Sequence, residues 1–407
     1  MDKTVAPGPR RGKITAPPSK SDAHRALICA ALRGVHPAGD GTPALPTVIK
    51  LGASNADIEA TVRCLEALGV KIQRGDGALT VTPQTARPVS PLLDCGESGA
   101  TLRFLLPVAP LLADRPRFVG AGRLPERPIG PLLTAMAENG CVSDSPKLPL
   151  TLNGALRAGV YTLPGNISSQ YVSGLLMALS AVLGESEIKL SSPLESAAYV
   201  DMTVRTLSRF GISVERGPGS YQLSIVNCQL SIPGAYDVEG DWSGAACFIA
   251  MGALGGDIQV EGLDENSAQP DRAIAQLAKN LPDSVDVSAF PDLTPVLAVL
   301  ACGKRGATQF TNAARLRLKE SDRVAATARL IGALGGRCEE RPDALTVYGA
   351  GHLRGGTAES ENDHRIAMAA AAVAAAICET PVTVRGAEAV NKSYPGFWDD
   401  LERLEIV

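Results

Sequence analysis

The sequence predicts an α/β protein built from a repeated unit, and three observations carry that prediction. First, helix-stop signals recur: Gly69, Gly140 and Gly211 each follow a helical run and lie 71 residues apart, and Gly335 closes a fourth copy. A glycine just past the last apolar turn suits the left-handed cap, because it has no Cβ to clash there. Second, helical patterns alternate with short β-rich runs bounded by Gly, Pro and Asp, the mark of α/β or α+β units. Third, the stretches 172–183, 245–253 and 366–377 are apolar on every helical face. A helix of that kind is buried all round, so these three are expected in the middle of their domains.

In chain order, ATVRCLEALGV (60–70) reads as a helix ending at Gly69 and followed by the strand-like KIQ. The pattern returns in PLLTAMAENGCVS, in MTVRTLSRFGISVE and in VAATARLIGALGGRCEE, with a weaker copy in AIAQLAKNLPDSVDV. WDDLERLEIV gives a sixth helix-to-strand ending. Six units of about 60–70 residues imply duplication, with a period longer than that of common solenoids. The strands are expected at ALTVTP, YQLSIV and ALTVYG, and the Pro- and Gly-rich stretch 37–51 reads as a long loop.

Composition narrows the function. The chain has 407 residues, with 39 Lys and Arg against 43 Asp and Glu, a formal net charge of −4. That balance argues against a general nucleic-acid binder, which carries a basic face. Aromatics are only 4%, so the core rests on Ala, Val, Leu and Ile. No charge-free apolar run approaches the ~18 residues of a membrane span, and residues 1–11 lack the apolar region of a secretory signal. Nine cysteines without a C-x-x-C pair fit reduced thiols, and four histidines without ligand spacing leave no zinc site. A cytoplasmic enzyme without a metal is expected.

Charge gathers where helices begin. PPSKSDAHR places Lys20, Ser21 and Arg25 at the start of an apolar helix, where free N–H groups and the dipole favour anions. DCGESGATLRF holds Gly96 and Gly99, which let backbone approach a ligand, before Arg103 and an apolar run. Arg127 precedes a helix whose N1 position Pro128 would suit. GNISSQYVSG puts Ser168, Ser169 and Gln170 at a helix start, more polar groups than one cap needs. RLRLKESDR crowds Arg315, Arg317, Lys319, Glu320, Asp322 and Arg323 against the helix dipole. NDHR sets Asp363, His364 and Arg365 before a helix of nearly pure Ala and Val, and Lys392 lies in VNKSYPGFW. Each cluster alone could be a helix cap, a surface salt bridge or a structural histidine. Their recurrence across the repeat points to an enzyme of small anionic substrates. P-loop, dinucleotide-binding, G-x-S-x-G and H-E-x-x-H motifs are all missing, so no nucleotide cofactor is expected.

The motifs PPSKSDAHRAL, GESGATLRFL, RLPERPIGPL, SSQYVSGLLMAL, SAAYVDMTVRTLSRFG, VEGDWSGAACFIA, PDLTPVLAVLA, LRLKESDRVAA, NDHRIAMA and NKSYPGFW run from residue 17 to 398. On these the chain resembles the 3-phosphoshikimate 1-carboxyvinyltransferase (EPSP synthase) family of enolpyruvyl transferases, over essentially its whole length. The related UDP-N-acetylglucosamine enolpyruvyl transferases are similar in fold but lack the SSQ and DHR combination. The resemblance implies two similar domains, 20–238 and 1–19 plus 239–407. Each would hold three βαβαββ units around buried parallel helices, an inverse α/β barrel, with the active site in the interdomain cleft and closed by domain motion. It implies transfer of the enolpyruvyl group of phosphoenolpyruvate to shikimate 3-phosphate, with no cofactor, by a monomer that glyphosate inhibits.

By motif match, Lys20, Ser21, Arg25, Ser168, Ser169, Gln170, Ser196, Tyr199 and Lys319 would hold shikimate 3-phosphate. Lys20, Gly99, Arg127, Gln170, Arg323, Arg365 and Lys392 would hold phosphoenolpyruvate. Asp292 matches the family base, also beside shikimate 3-phosphate; Glu320 with Lys319 matches the proton-transfer pair, and Lys20 joins the catalytic set. Two departures stand out. Glu97-Ser98-Gly99-Ala100 replaces the commoner Asn-Ala-Gly-Thr, and Arg315 stands where some members have a ligand-touching Asn. Two other readings follow from the same motifs: a UDP-sugar enolpyruvyl transferase, and a silent anion-binding homologue. The retained Asp292, Lys319 and Glu320 oppose the second of these.

Overall fold

Gly69, Gly140, Gly211 and Gly335 all have positive φ, between 79° and 96°, and each stands one residue past a helix C-cap. The repeat read from those glycines is therefore a repeat of helix stops. The structure, a computed structural model, describes residues 1–35, 45–84, 86–226 and 234–407. The chain divides into two compact units, Lys20–Val238 and Met1–Ser19 with Glu239–Val407.

The Lys20–Val238 unit contains α1 (Lys20–Leu32), α2 (Ala56–Ala67), α3 (Gly99–Leu112), α4 (Gly130–Glu138), α5 (Ser169–Leu179) and α6 (Ala197–Arg209). Its three sheets have four strands each, in one pattern: a parallel pair, then an antiparallel hairpin beside it. Strand Leu92–Asp94 leads through α3 to its parallel partner Arg117–Val119, then through α4 to the hairpin Cys141–Ser143 and Leu150–Gly154. Strands Val160–Leu163, Gly184–Leu190, Glu215–Gly217 and Ser220–Ile225 repeat this around α5 and α6. The remaining sheet is permuted. Its parallel pair joins Thr47–Lys50 to Ala235–Asp237, from opposite ends of the segment, and Ala78–Thr82 and Lys71–Gly75 complete it.

Helices α1, α3 and α5 pack on one another and are buried along nearly their whole length. The core around them is aliphatic, as the scarcity of aromatics requires. Two expectations change here. The helix expected over 172–183 stops at Leu179, because the Ser180 hydroxyl donates back to the Met177 carbonyl at 2.7 Å and Gly184 turns the chain with φ 114°. The loop expected over 37–51 contains the strand Thr47–Lys50, formed by pairing on both sides with distant strands. Its residues 37–44 lie outside the described residues.

The other unit holds α7 (Trp242–Ala253), α8 (Ile274–Leu277), α9 (Thr294–Gly303), α10 (Arg323–Ala333), α11 (His364–Ile377) and α12 (Phe397–Arg403). Strands Ser284–Asp286, Gly306–Thr311, Arg337–Arg341 and Ala344–Gly349 form the four-stranded pattern with α9 and α10. The other two sheets have three strands and take them from the chain's beginning. Arg10–Thr15 lies between Asp257–Glu261 and Glu405–Ile406, and Asp2–Val5 pairs with Val382–Arg385 beside Gly356–Glu359. The weak repeat copy after Gly262 forms a 3-10 turn, Pro270–Ala273, and the one-turn α8 instead of a full helix. Helices α7, α9 and α11 are the packed centre. Ala367, Ala369, Ala371 and Ala372 are fully buried, and such small side chains let the neighbouring helices come close. Among the described residues no helix is long and apolar enough to cross a membrane.

Candidate active site

In the Lys20–Val238 unit the expected residues lie at the starts of α1, α3, α5 and α6. Lys20 opens α1, and its Nζ donates to Asp57 Oδ2 at 2.8 Å. Asp57 stands in the first turn of α2, behind the Asn55 cap. Nothing in the sequence singles it out, since an acid in a first helical turn is ordinary dipole chemistry.

Arg25 is 2% exposed. Its Nε donates to Thr203 Oγ1 at 2.7 Å, and its Nη2 to the Tyr199 carbonyl at 2.8 Å. Nη1 donates to the Ser21 carbonyl, and the guanidinium lies 5.0 Å from the Phe104 ring centre. Burial lowers its pKa to about 10, against the opposing pull of Asp22. Arg25 thereby ties α1 to α6 and fixes the carbonyls of two other expected residues, Ser21 and Tyr199.

Gly99 is the first residue of α3, capped by Ser98, whose Oγ accepts from Thr101 N. A Cβ on Gly99 would lie 2.6 Å from Arg127 Nη1 and 2.8 Å from its Cζ. The glycine therefore makes room for a guanidinium packed over a helix N-terminus. Arg127 ends the 3-10 turn Leu124–Glu126. Helix α4 starts only at Gly130, so Pro128 is not at N1; Pro131 takes the early-turn place. The Pro128 carbonyl instead accepts from the Tyr171 hydroxyl at 2.5 Å and from Arg103 Nη2 at 3.3 Å. Arg103 Nη1 also donates to Gln170 Oε1 at 2.8 Å, which orients that amide. Glu97 lays its carboxylate against Gly122.

Ser168 caps α5, and Ser169 and Gln170 are its first two residues. Ser196 precedes α6 with φ 55° and ψ 42°, a left-handed conformation that a serine holds only under constraint. It makes no side-chain capping bond to the helix it introduces.

In the other unit, Asp292 lies in the turn Pro291–Leu293 before α9. Three cations face it: Arg323 Nη1 donates to Oδ1 at 2.7 Å, Lys319 Nζ to Oδ1 at 3.2 Å, and Arg365 Nη2 stands 3.8 Å from Oδ2. Arg323, 1% exposed, opens α10. Its remaining N–H groups reach Glu320 Oε2 and Asp363 Oδ2, each at 2.8 Å. Burial works against its charge, but Asp363, Glu320 and Asp292 outweigh that and raise its pKa well above the ordinary value. Asp363 caps α11 and also accepts from the Ser321 hydroxyl at 2.9 Å.

Arg365 follows in the first turn of α11, and its Nη1 donates to the Ser243 carbonyl at 2.8 Å. Burial opposes its charge; Asp292, Asp241 and Asp271 prevail, and its pKa is raised. Burial lowers the pKa of Lys319 below the ordinary lysine value, against the pull of Asp292. Lys392 ends the turn Ala387–Lys392, and its Nζ donates to the Asn362 carbonyl at 2.6 Å.

The dense RLRLKESDR cluster thus splits by role. Arg317 makes salt bridges to Asp322 and Glu340, each at 2.8 Å, on the outside of its unit. Arg323 and Lys319 meet Asp292. Among the described residues no group of His, Cys, Asp and Glu could hold a metal, and the eight cysteines there are free thiols.

The sequence model of the family described as EPSP synthase (3-phosphoshikimate 1-carboxyvinyltransferase) matches residues 5–281 and 276–401. A 3-phosphoshikimate 1-carboxyvinyltransferase of Clostridium kluyveri is 40% identical, over 98% of this chain and 96% of its own. One of Clostridium acetobutylicum is 38% identical, over 97% and 95%. In fold, the chain is similar to an EPSP synthase from Acinetobacter baumannii, with a TM-score of 0.77 at 24% identity over 100% and 98% of the two chains. It is also similar to the enolpyruvyl transferase NikO from Streptomyces tendae, with a TM-score of 0.72 at 18% identity over 100% and 99%. The full-length matches at 38–40% identity agree with the helix-start clusters: the chain belongs to the EPSP synthase (3-phosphoshikimate 1-carboxyvinyltransferase) family.

Proposed function

We propose that the protein transfers the enolpyruvyl group of phosphoenolpyruvate to the 5-hydroxyl of shikimate 3-phosphate, releasing phosphate. The observation that carries this reading is Asp292, a carboxylate in the turn before α9, held among Lys319 before α10, Arg323 at the start of α10 and Arg365 in the first turn of α11. Such a site suits a substrate with both phosphate and carboxylate, for which the planar guanidinium fork is well matched.

Phosphoenolpyruvate is assigned to Lys20, Gly99, Arg127, Arg323, Arg365 and Lys392. Shikimate 3-phosphate is assigned to Ser21, Ser168, Ser169, Ser196, Tyr199 and Lys319, with Gln170 serving both. Arg25 adds positive charge beside the shikimate phosphate while it positions Ser21 and Tyr199.

Lys319 and Glu320 deliver a proton to the methylene carbon of phosphoenolpyruvate, which leaves C2 electrophilic. The 5-hydroxyl oxygen adds to C2 as its proton passes to Asp292. The tetrahedral intermediate then loses a methyl proton and phosphate, restoring the double bond. Substrate anions that engage Arg323 and Arg365 draw those cations from Asp292 and strengthen it as a base. The same cations stabilise charge in the transition state, commonly the largest catalytic term.

Glyphosate is assigned to the Gly99 and Arg127 end of the site, and the working form to the monomer. Mass spectrometry of the reaction mixture tests the reading. Enolpyruvyl shikimate 3-phosphate is expected, with equimolar phosphate and only when both substrates are present. Turnover of UDP-N-acetylglucosamine instead would assign the chain to the UDP-sugar reaction.

A further inference from the structure

A line of buried polar side chains runs beneath the starts of α1, α2 and α3, and none of it is used in the chemistry above. His24 on α1 is fully buried, with its ring edge-on to Phe104 at 6.3 Å. His24 Nδ1 lies 2.8 Å from Thr61 Oγ1 on α2, and Thr61 Oγ1 lies 2.7 Å from Thr101 Oγ1 on α3. Thr101 Oγ1 donates to Ser98 Oγ at 2.8 Å, with the Asp57 carbonyl 3.3 Å away. Ser98 is the cap directly before Gly99.

Proton counting gives this line a direction. Each hydroxyl has one proton to donate. Thr101 directs its own at Ser98, so its oxygen accepts from Thr61. Thr61 has then used its proton, so its oxygen accepts from His24. His24 therefore carries a proton on Nδ1, and its buried Nε2 has no hydrogen-bond partner, the nitrogen left bare in a neutral ring. Burial, with Lys20 and Arg25 nearby, lowers the His24 pKa well below the ordinary value, in keeping with a neutral ring.

The middle of the line belongs to α2, the helix whose Asp57 carboxylate holds Lys20. One helix therefore sets Lys20 through Asp57, and the Gly99 turn through Thr61 and Thr101. Cys64, one turn further along α2, adds an S–H contact to the Asp94 carbonyl of the same loop at 3.4 Å. We propose that the relay His24–Thr61–Thr101–Ser98 is a positioning device for the phosphoenolpyruvate end of the site. It holds the Gly99 turn, with Arg127 over it, at a fixed place relative to Lys20. Ser98 belongs to the Glu97–Ala100 stretch in which this chain departs from the commoner family text, so the device goes with that departure.

This inference rests on the assignment of Gly99, Arg127 and Lys20 to phosphoenolpyruvate, and its test separates the two. In Thr61→Val and Thr101→Val, the KM for phosphoenolpyruvate is expected to rise roughly tenfold, the effect of one lost buried hydrogen bond. The KM for shikimate 3-phosphate should change by less than about twofold, within the spread of a remote and uncoupled change. Thr61→Ser and Thr101→Ser, which keep the hydroxyl, should restore the wild-type value. Equal rises in both KM values, or a fall in melting temperature with neither KM altered, would overturn the proposal.

The second readout needs no activity and no variant that must fold. Nitrogen-15 NMR of the intact protein should show His24 protonated at Nδ1 and bare at Nε2. The opposite tautomer would break the relay. If the expected tautomer is found but the enzyme does not turn over phosphoenolpyruvate, the functional reading fails while the relay geometry stands.

Discussion

Gly99 has no space for a methyl group: a Cβ there would sit 2.6 Å from Arg127 Nη1. In Gly99→Ala the guanidinium must move, and steady-state kinetics should show the KM for phosphoenolpyruvate raised roughly ten- to a hundredfold, the scale of a 1 Å misplacement. The shikimate 3-phosphate KM should hold, because its assigned residues lie on other helix starts. Lys319 gives a second residue-scale test. Its folded pKa lies below the ordinary 10.5, chiefly through burial, so it loses its proton at lower pH than a free lysine. The alkaline limb of kcat/KM should therefore fall below pH 10.5, and Lys319→Arg, whose charge persists, should remove that limb even as it lowers the rate. At this scale the sequence marked the charged residues that cluster at helix starts and was silent about their partners. Arg323 and Asp292 were both legible from their motifs. That Arg323 is almost wholly enclosed by Asp292, Glu320 and Asp363 was not, because those carboxylates come from three separate segments. For Arg317 the bridge to Asp322 is the surface salt bridge that the motif already offered, while its bridge to Glu340 was hidden, since that residue stands on a strand well beyond the motif.

At the scale of elements, Arg323 acts as a staple. Its guanidinium joins the turn before α9, the segment before α10 and the cap of α11. Arg323→Met would leave three carboxylates facing one another without their shared cation. Breaking a buried pair in this way typically costs about 3–5 kcal/mol, and urea unfolding should show a loss of that size, beyond any loss of turnover. A change below ~1 kcal/mol, the worth of an exposed pair, would mean that water already screens the cluster. The helices themselves were the most legible elements, and for a physical reason. A terminating glycine with positive φ is a local requirement, visible wherever it falls, as at Gly69 and Gly140. Strand Thr47–Lys50 was lost inside a predicted loop for the opposite reason: its partners lie at Ala78–Thr82 and Ala235–Asp237, and local pattern carries no sign of either.

At the scale of the molecule, each unit packs three buried helices into an apolar core and places charge at the starts of its helices. Duplication explains why Lys, Arg and Ser recur at equivalent helix starts while the stretches after Gly262 and at the chain's end drift from the pattern. Crossed strand pairing, with Arg10–Thr15 in one unit and Ala235–Asp237 closing a sheet in the other, follows from a chain that leaves one unit to build the second. Repetition showed in the sequence; that exchange of strands entered only through family resemblance, since no periodicity marks it.

The central claim is that Asp292, among its three cations, is the base of an enolpyruvyl transfer. Phosphate release with both substrates at saturation, measured for the wild type and for Asp292→Asn, tests it most directly. Asparagine keeps the shape and can no longer take a proton. A kcat lowered ~10²–10⁴-fold is expected, the usual worth of a positioned general base, with shikimate 3-phosphate still bound. An Asp292→Asn variant that releases phosphate at close to the wild-type rate would contradict it.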